Sequence, residues 1–388
     1  MLTRVLVYSS LFPSPRRPIQ GLFVAELVKA LAASVEVRVI QPVVAHLNPR
    51  EIWGGRRRYL YDRTIPVEAP LCFNMPRFLK GTDARLMALG SRSAFRRTAE
   101  GRADLVHAHF AYPDGAAAAL LAREHRLPLV VTVHGSDLNV LARSPARRRH
   151  IQGALKGAAA VVAVAKDLVC KVVDLGVPPD RVHHIPNGVD LTKFSSGDRA
   201  EARIRLGLPR GGRIVLGVGG LVPVKAYDRL IRALSHLGSD TSLVLAGDGP
   251  ERESLERLAH TLGLASRVRL AGAVPHGTLC AYYRAADVLA ISSHSEGWPT
   301  VIHESLACGT PVVANRVGGI AEALSSPGLG LLTEGNSEEE MARGIRQALA
   351  APWDAAVLEA VARDHSWQEI ARRYLTVYAG AVSGGVSR

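Results

Sequence analysis

Short apolar runs alternate with longer stretches of helical period, and this alternation passes twice through the chain. The first series has Val5–Ser9, Val35–Ile40, Leu105–Ala108, Leu129–Val133, Ala160–Ala165 and His183–Pro186 as strand candidates. Between them, Leu22, Val24, Leu27, Val28 and Leu31 recur at helical spacing, and Ala116–Arg123 is Ala-rich. A second series starts at Arg213. Its strand runs are Ile214–Val218, Ser242–Ala246, Val268–Ala271, Val288–Ile291 and Pro311–Ala314, with helices predicted over Tyr227–Leu237, Glu251–Leu262, Thr278–Ala285 and Val301–Ala307. Runs apolar on both faces suit parallel strands with helices on each side. The pattern predicts an α/β chain with two Rossmann-like parallel-sheet domains facing across a cleft, and 388 residues suffice for both. Ligands of such sheets bind at the carboxyl ends of the strands. The first domain is expected over 1–194, a polar, Gly-rich linker over 195–212, and the second domain over 213–365.

Composition removes several classes. Cys72, Cys170, Cys280 and Cys308 lie far apart without C-x-x-C or Cys/His ligand spacing, which argues against a disulfide framework or a zinc site. No apolar run approaches the 18 residues of a membrane span. The opening residues read as a strand rather than a leader, so the cytoplasm is the expected compartment. The net charge of +13 is lopsided: residues 1–190 hold 27 Lys+Arg against 15 Asp+Glu, and the remainder is almost balanced. An acidic partner for the first half follows. Residues 50–97 are the densest part, with 11 basic and four acidic residues around Phe73, Met75, Phe78 and Leu79. Either docking on an anionic membrane leaflet or a solvated basic face with its apolar residues buried is expected there.

The most informative stretch for chemistry is SSHSEGWPTVIHESLACGTPVVA, residues 292–314. A strand ends at Ile291, a loop carries Glu296-Gly297-Trp298-Pro299, and a helix opens near Thr300. Proline at a helix start loses no useful N–H, and the free N–H groups of Thr300 and Val301 favour an anion. Glu296 precedes that helix start and Glu304 lies one turn inside it.

This stretch resembles the signature of the retaining glycosyltransferases of the GT-B fold, in the family 4 group. VTVHGSDL (131–138), IPNGVDLTKF (185–194), GGLVPVKAYDRLIRAL (219–234) and LAGDGPERESL (245–255) agree with it in order. YSSLFPSP…QGLFVAELVKAL and HAHFAYPDG are similar to the branch that builds teichuronic acids and exopolysaccharides. The resemblance implies an acceptor-side first domain and a second domain that binds a nucleotide sugar. It also implies that the end of the chain, 366–388, returns to the first domain. An apolar face of Trp367, Ile370, Tyr374, Leu375 and Tyr378 suits that return.

The resemblance also implies roles. Glu296 lies beside the donor sugar, Glu304 takes the ribose hydroxyls, and the backbone from Gly297 through Trp298, Pro299 and Thr300 to Val301 meets sugar and diphosphate. Lys225 neutralises the departing diphosphate. Gly21 faces the diphosphate, His134 contacts the reaction centre, and His109 and Asp137 stand on the acceptor side. Backbone around Gly272–Pro275, including Val274, reads the base. Where the family has arginine this chain has Gly220, so one phosphate-neutralising charge is missing and its replacement is open. Asp248 and Asp287 stand alone, with no D-x-D at a strand end, so neither metal nor cofactor is expected.

The function implied is transfer of a sugar to a glycan or lipid-linked acceptor in cell-envelope polysaccharide synthesis, with docking at the inner face of the membrane. A sugar phosphorylase or nucleotide-sugar epimerase of the same fold is the alternative. A dinucleotide oxidoreductase is disfavoured because Gly217-Val218-Gly219-Gly220-Leu221-Val222 lacks the third glycine of G-x-G-x-x-G. A nucleic-acid binder is disfavoured because no aromatic residues interleave with Arg56–Arg58 or Arg147–Arg149.

Overall fold

The computed structural model describes residues 2–15, 17–45, 58–73, 81–99, 103–326 and 328–385. The chain divides into two units, residues 1–187 with 367–388, and residues 188–366. In the first unit the strands are β1 (Arg4–Tyr8), β2 (Glu36–Ile40), β3 (Val43–Ala45), β4 (Arg58–Tyr61), β5 (Ile65–Glu68), β6 (Leu71–Phe73), β7 (Leu105–His109), β8 (Leu129–Val133), β9 (Ala160–Ala163) and β10 (Val182–His184). Eight of them form one sheet in the order β10-β9-β8-β7-β1-β2-β5-β4, and β3 pairs with β6. Only β4 on β5 runs antiparallel. The second unit has β11 (Arg213–Val218), β12 (Thr241–Ala246), β13 (Val268–Gly272), β14 (Val288–Ile291), β15 (Val312–Asn315) and β16 (Gly330–Thr333), a parallel sheet ordered β13-β12-β11-β14-β15-β16.

Each sheet reverses its strand order once, beside β1 and β7 in the first unit and beside β11 and β14 in the second. Helices leave in opposite senses at such a point, so the loops splay and leave a crevice at the carboxyl ends. The core follows the apolar runs. Val5, Val7, Val24, Val28, Leu31 and Val130 are buried in the first unit, and Val215, Leu230, Ile231, Leu245, Val288 and Ile345 in the second.

The helix Trp367–Gly385 belongs to the first unit. Trp367, Ile370, Tyr374 and Tyr378 are buried in the first core, with Leu375 packed against it. Two phenols complete the join: the Tyr378 hydroxyl shares a hydrogen bond with His107 Nδ1 at 2.7 Å, and the Tyr374 hydroxyl meets Thr132 Oγ1 at 3.2 Å.

Residues 195–212 were expected to be a linker, but they contain a helix, Arg199–Leu206, capped by Asp198 and integral to the second unit. Its Arg203 is buried. Its guanidinium reaches Asp287 Oδ2 at 2.7 Å and the carbonyls of Ala285, Arg210 and Gly212. A polar composition hid an anchor, because the buried group is an arginine each of whose three guanidinium nitrogens finds an acceptor. The basic segment also reads differently. Arg50, Arg56, Arg57, Met75, Arg77, Phe78, Leu79 and Lys80 lie outside the described residues. Of the others, Arg58 and Arg97 reach Glu68, and Arg92 reaches Glu124.

Arg203→Leu tests the anchor. It leaves Asp287 buried without its closest cation, and urea unfolding should show a loss of about 3 kcal/mol. A loss below about 0.5 kcal/mol, usual for a surface position, would return residues 195–212 to the status of a linker.

Candidate functional site

The switch point of the second unit gathers the candidate donor residues. Beyond β11 the chain turns through Gly219-Gly220-Leu221 into a short helical turn, Pro223–Lys225. Beyond β14 it runs through residues 292–299 into the helix Thr300–Ala307, which has Pro299 at its N-cap. The two loops are tied together. The His294 N–H donates to Val224 O at 2.8 Å, and the Ser292 hydroxyl lies within reach of the carbonyls of Lys225 and Ala226 at 2.9 and 2.8 Å. Arg229 and Asn315 donate to the carbonyls of Ser292 and Ser293 at 2.9 and 2.7 Å.

Lys225 and Glu296 meet on this frame. Nζ lies 2.6 Å from Oε1, and the Ser293 hydroxyl donates to the same oxygen at 2.6 Å. The side chains are 25% and 11% exposed, so the pair is sheltered yet open on one side. Glu296 Oε2 has no partner among the described residues. Gly318 lies against the loop at φ 51°, and a Cβ there would overlap the Glu296 carbonyl. A larger residue would push the carboxylate off its station.

Glu304 is buried and held at both oxygens. The Tyr283 hydroxyl donates to Oε2 at 2.7 Å and His276 Nε2 lies 3.0 Å from Oε1. Burial, reinforced by the Glu304 charge, raises the Tyr283 pKa far above its ordinary value, so the phenol stays a donor. Tyr283 and His276 were missed in the sequence, where a Tyr in an apolar helix and a His after Pro275 carry no mark of function. Gly297, Thr300 and Val301 are half-buried around the helix start, and Val274 is half-buried beyond β13. Trp298 and Pro299 are buried. The Trp298 indole stacks on His303 and His365 at 5.4 and 6.1 Å, so any donor contact of Trp298 falls to its backbone. Gly220 is exposed, and a Cβ there would meet only Asp248 O at 3.8 Å. Space for the family's arginine therefore exists.

In the first unit, Gly21 caps the helix Leu22–Ala32 in the left-handed region at φ 72°, and a Cβ would overlap the Leu11 carbonyl. That chain crossing alone demands glycine. His134 ends up between Phe23 and Phe110, with ring centroids 4.9 and 4.5 Å away. Its Nε2 faces His109 Nδ1 at 3.1 Å, while His134 Nδ1 and His109 Nε2 are covered and unpartnered among the described residues. Burial lowers the pKa of both rings, which are neutral at pH 7.

Two acceptor-side expectations need correction. Asp137 is fully buried, and its carboxylate accepts from the backbone N–H groups of Ala111, His134, Gly135 and Leu138. It fixes the backbone beneath His134 and has no oxygen to offer an acceptor. His109 is buried too, with its Nδ1 against His134 Nε2. Among the described residues no group of three or more His, Cys, Asp or Glu could hold a metal ion, and no helix is long and apolar enough to cross a membrane.

Comparison with known proteins matches this geometry to a class. Residues 20–193 match the profile of Glycosyltransferase Family 4, and residues 198–372 that of Glycosyl transferases group 1. D-inositol 3-phosphate glycosyltransferase 1 of Catenulispora acidiphila is 36% identical over 325 residues, 77% of this chain and 78% of that protein. TuaC of Bacillus subtilis, named for teichuronic acid biosynthesis, is 31% identical over 353 residues, 88% of each chain. Among solved structures, sucrose-phosphate synthase from Thermosynechococcus elongatus has a TM-score of 0.81 at 21% identity, covering 99% of this chain and 100% of that one. Anabaena HepE in complex with UDP has 0.77 at 21% identity, covering 97% and 100%. Two Rossmann-like units of this kind define a glycosyltransferase of the GT-B fold. The chain belongs to the family 4 glycosyltransferases.

His303 yields a pH test. It is fully buried beside Glu304, both ring nitrogens lack partners among the described residues, and burial holds its pKa well below 6.5. Above about pH 6.5 the ring is neutral in both folded and unfolded chains. Below that the unfolded chain takes up a proton that the native ring refuses, so stability falls with acidification. His303→Phe should flatten the fall between pH 6 and 5 by up to about 1.4 kcal/mol per pH unit. An unchanged slope in urea titrations would contradict the burial of a neutral ring.

Proposed function

We propose that the protein moves a sugar from a nucleotide-sugar donor to a glycan or lipid-linked acceptor of cell-envelope polysaccharide synthesis, in the cytoplasm and with retention. One observation carries the reading. The only lysine of the loop after β11 stands sheltered at the switch point, beside a helix start and a carboxylate. Anions collect where free N–H groups and an ammonium converge. A diphosphate between Lys225 and the N–H groups of Thr300 and Val301 places its ribose toward Glu304 and its sugar toward Glu296. The UDP bound by HepE supports a nucleotide as ligand, and the names of the curated relatives support a polyol phosphate or acidic glycan as acceptor.

In this proposal the bond from the anomeric carbon to the diphosphate oxygen breaks, and the acceptor oxygen bonds to that carbon on the same face. The acceptor's proton passes to the departing phosphate oxygen. Glu296 is engaged by Lys225 and Ser293 and acts by orienting sugar hydroxyls rather than as a nucleophile. Lys225 meets the charge that grows on the leaving group, which is where a fixed cation lowers the barrier most.

Radiolabel transfer from UDP-, GDP- and ADP-sugars to envelope glycan or lipid extracts tests the activity. Lys225→Ala should lower turnover at least about 100-fold with the fold intact. Gly220→Arg should tighten nucleoside diphosphate binding roughly 10-fold, since it returns a charge-assisted donor to an open position. Wild-type turnover in Lys225→Ala would refute the diphosphate assignment. Weaker binding in Gly220→Arg would show that the diphosphate lies elsewhere.

A further inference from the structure

The four cysteines are far apart in the sequence, but folding brings two of them together. Cys280 lies on the helix Leu279–Ala285, and Cys308 ends the helix Thr300–Ala307 as its C-cap. Their sulfurs are 3.7 Å apart, with the Cys308 thiol donating to Cys280. Cys280 Sγ also lies 3.6 Å from the Ser195 carbonyl, which Arg284 Nε engages at 2.7 Å. The Cys308 thiol, with Arg284 and Arg205 nearby, holds the Cys280 pKa below the ordinary thiol range despite burial. The thiolate is the form that attacks an oxidant, so Cys280 is the reactive partner. Cys72 differs, because burial pushes its thiol up. Cys280 and Cys308 are 7% and 5% exposed, which admits a water-sized oxidant and hinders a bulky disulfide.

Both cysteines sit on the elements that hold Glu304. Cys280 precedes Tyr283 by three residues on one helix, and the Cys308 N–H donates to the carbonyls of Glu304 and Ser305 at 3.3 and 3.0 Å. Thr310 ties the same two helices, its hydroxyl donating to Tyr283 O at 2.8 Å and its N–H to Ser305 O at 3.0 Å. A disulfide holds its sulfurs about 2 Å apart. Bridging therefore draws the helix positions that carry the two sulfurs toward each other. The hydrogen bond from Tyr283 to Glu304 is already 2.7 Å long and has no slack to shorten, so the shift comes at its expense.

We propose that Cys280 and Cys308 are an oxidation site, at which a hydroperoxide converts the pair to a disulfide that loosens the hold on Glu304. The Cys280 thiolate attacks one oxygen of hydrogen peroxide and the O–O bond breaks. The hydroxide released takes up the proton that the thiol gave up and leaves as water. The Cys308 sulfur then attacks the Cys280 sulfenic acid. The S–S bond forms as the S–O bond breaks, and the hydroxyl departs with the Cys308 proton as a second water. Two electrons pass from the sulfur pair to the peroxide. The effect on ligand binding rests on the reading of Glu304 as the ribose anchor; the bond itself does not.

Treatment of the full chain with hydrogen peroxide, followed by intact-mass measurement and peptide mapping, tests the site. The expected product is an intramolecular bond between Cys280 and Cys308, with loss of two hydrogens and restoration by dithiothreitol. Cys308→Ala should instead gain one oxygen at Cys280, and Cys280→Ala should form no bond. Calorimetry with the tightest binder among UDP, GDP and ADP tests the effect. The oxidised chain should bind it roughly 10-fold more weakly. It should also lose its preference for ribose over 2′-deoxyribose and keep that for diphosphate over monophosphate. Peroxide-treated Cys280→Ala should keep both preferences, and circular dichroism melts guard against misfolding. Absence of the bond, or peroxide consumed first at Cys72 or Cys170, would overturn the site. A mapped bond with an unchanged ribose preference would overturn its action on Glu304. No ribose preference in the reduced chain would refute the Glu304 reading and the effect with it, while the mapped bond alone decides the site.

Discussion

The contact between Lys225 and Glu296 holds the second unit's site in register. One residue lies after β11 and the other after β14, on either side of the strand-order reversal, so their 2.6 Å ion pair spans the crevice. One short helical turn, Pro223–Lys225, is all the regular structure the two loops have. Their conformations come from cross-links: the Ser292 hydroxyl at the Lys225 and Ala226 carbonyls, the His294 N–H on Val224, and Arg229 on Ser292. A partly sheltered pair of this kind adds little to stability, because desolvation offsets much of the Coulomb attraction. Its value is placement. The ammonium and the carboxylate are set before any ligand arrives, and a preorganised charge needs no reorganisation when a leaving group develops its own.

Much of this was legible in the sequence because it rests on periodicity and on residue types with narrow uses. Apolar runs gave β1, β2 and β7 to β15 but not β4, β5 or the edge strand β16, and Glu296-Gly297-Trp298-Pro299 before a helical stretch marked the helix start. Other parts were not legible. Arg203 looked like one more charge in a polar linker, and only three-dimensional folding supplies the carbonyls and the Asp287 carboxylate that let it be buried. Asp137 looked like a partner for a substrate, but its carboxylate is taken up by three local backbone N–H groups and by that of Ala111, which arrives only when β7 and β8 lie side by side. Tyr283 was hidden for the same reason: its hydroxyl finds Glu304 across two helices, 21 residues apart.

The histidines divide by the same logic. His107 is saturated by Tyr378 and Thr132, and so joins the C-terminal helix to the first sheet. His109 and His134 share one contact and leave two covered nitrogens unpartnered among the described residues, an arrangement that disfavours the charged form of both rings. A neutral imidazole pair at strand ends can donate or accept with little added charge. That suits it to hydrogen-bond a polar group rather than to neutralise an anion.

The central claim is that one donor seat in the second unit divides its work between Lys225 and Glu304. Calorimetric titration of the tightest-binding nucleoside diphosphate, its monophosphate and its 2′-deoxy form tests that division. Lys225→Ala should erase the preference for diphosphate over monophosphate and keep the preference for ribose over deoxyribose. Glu304→Gln should do the reverse. If either variant lowered both preferences equally, or neither, the two residues would not be the separate phosphate and ribose anchors of one site.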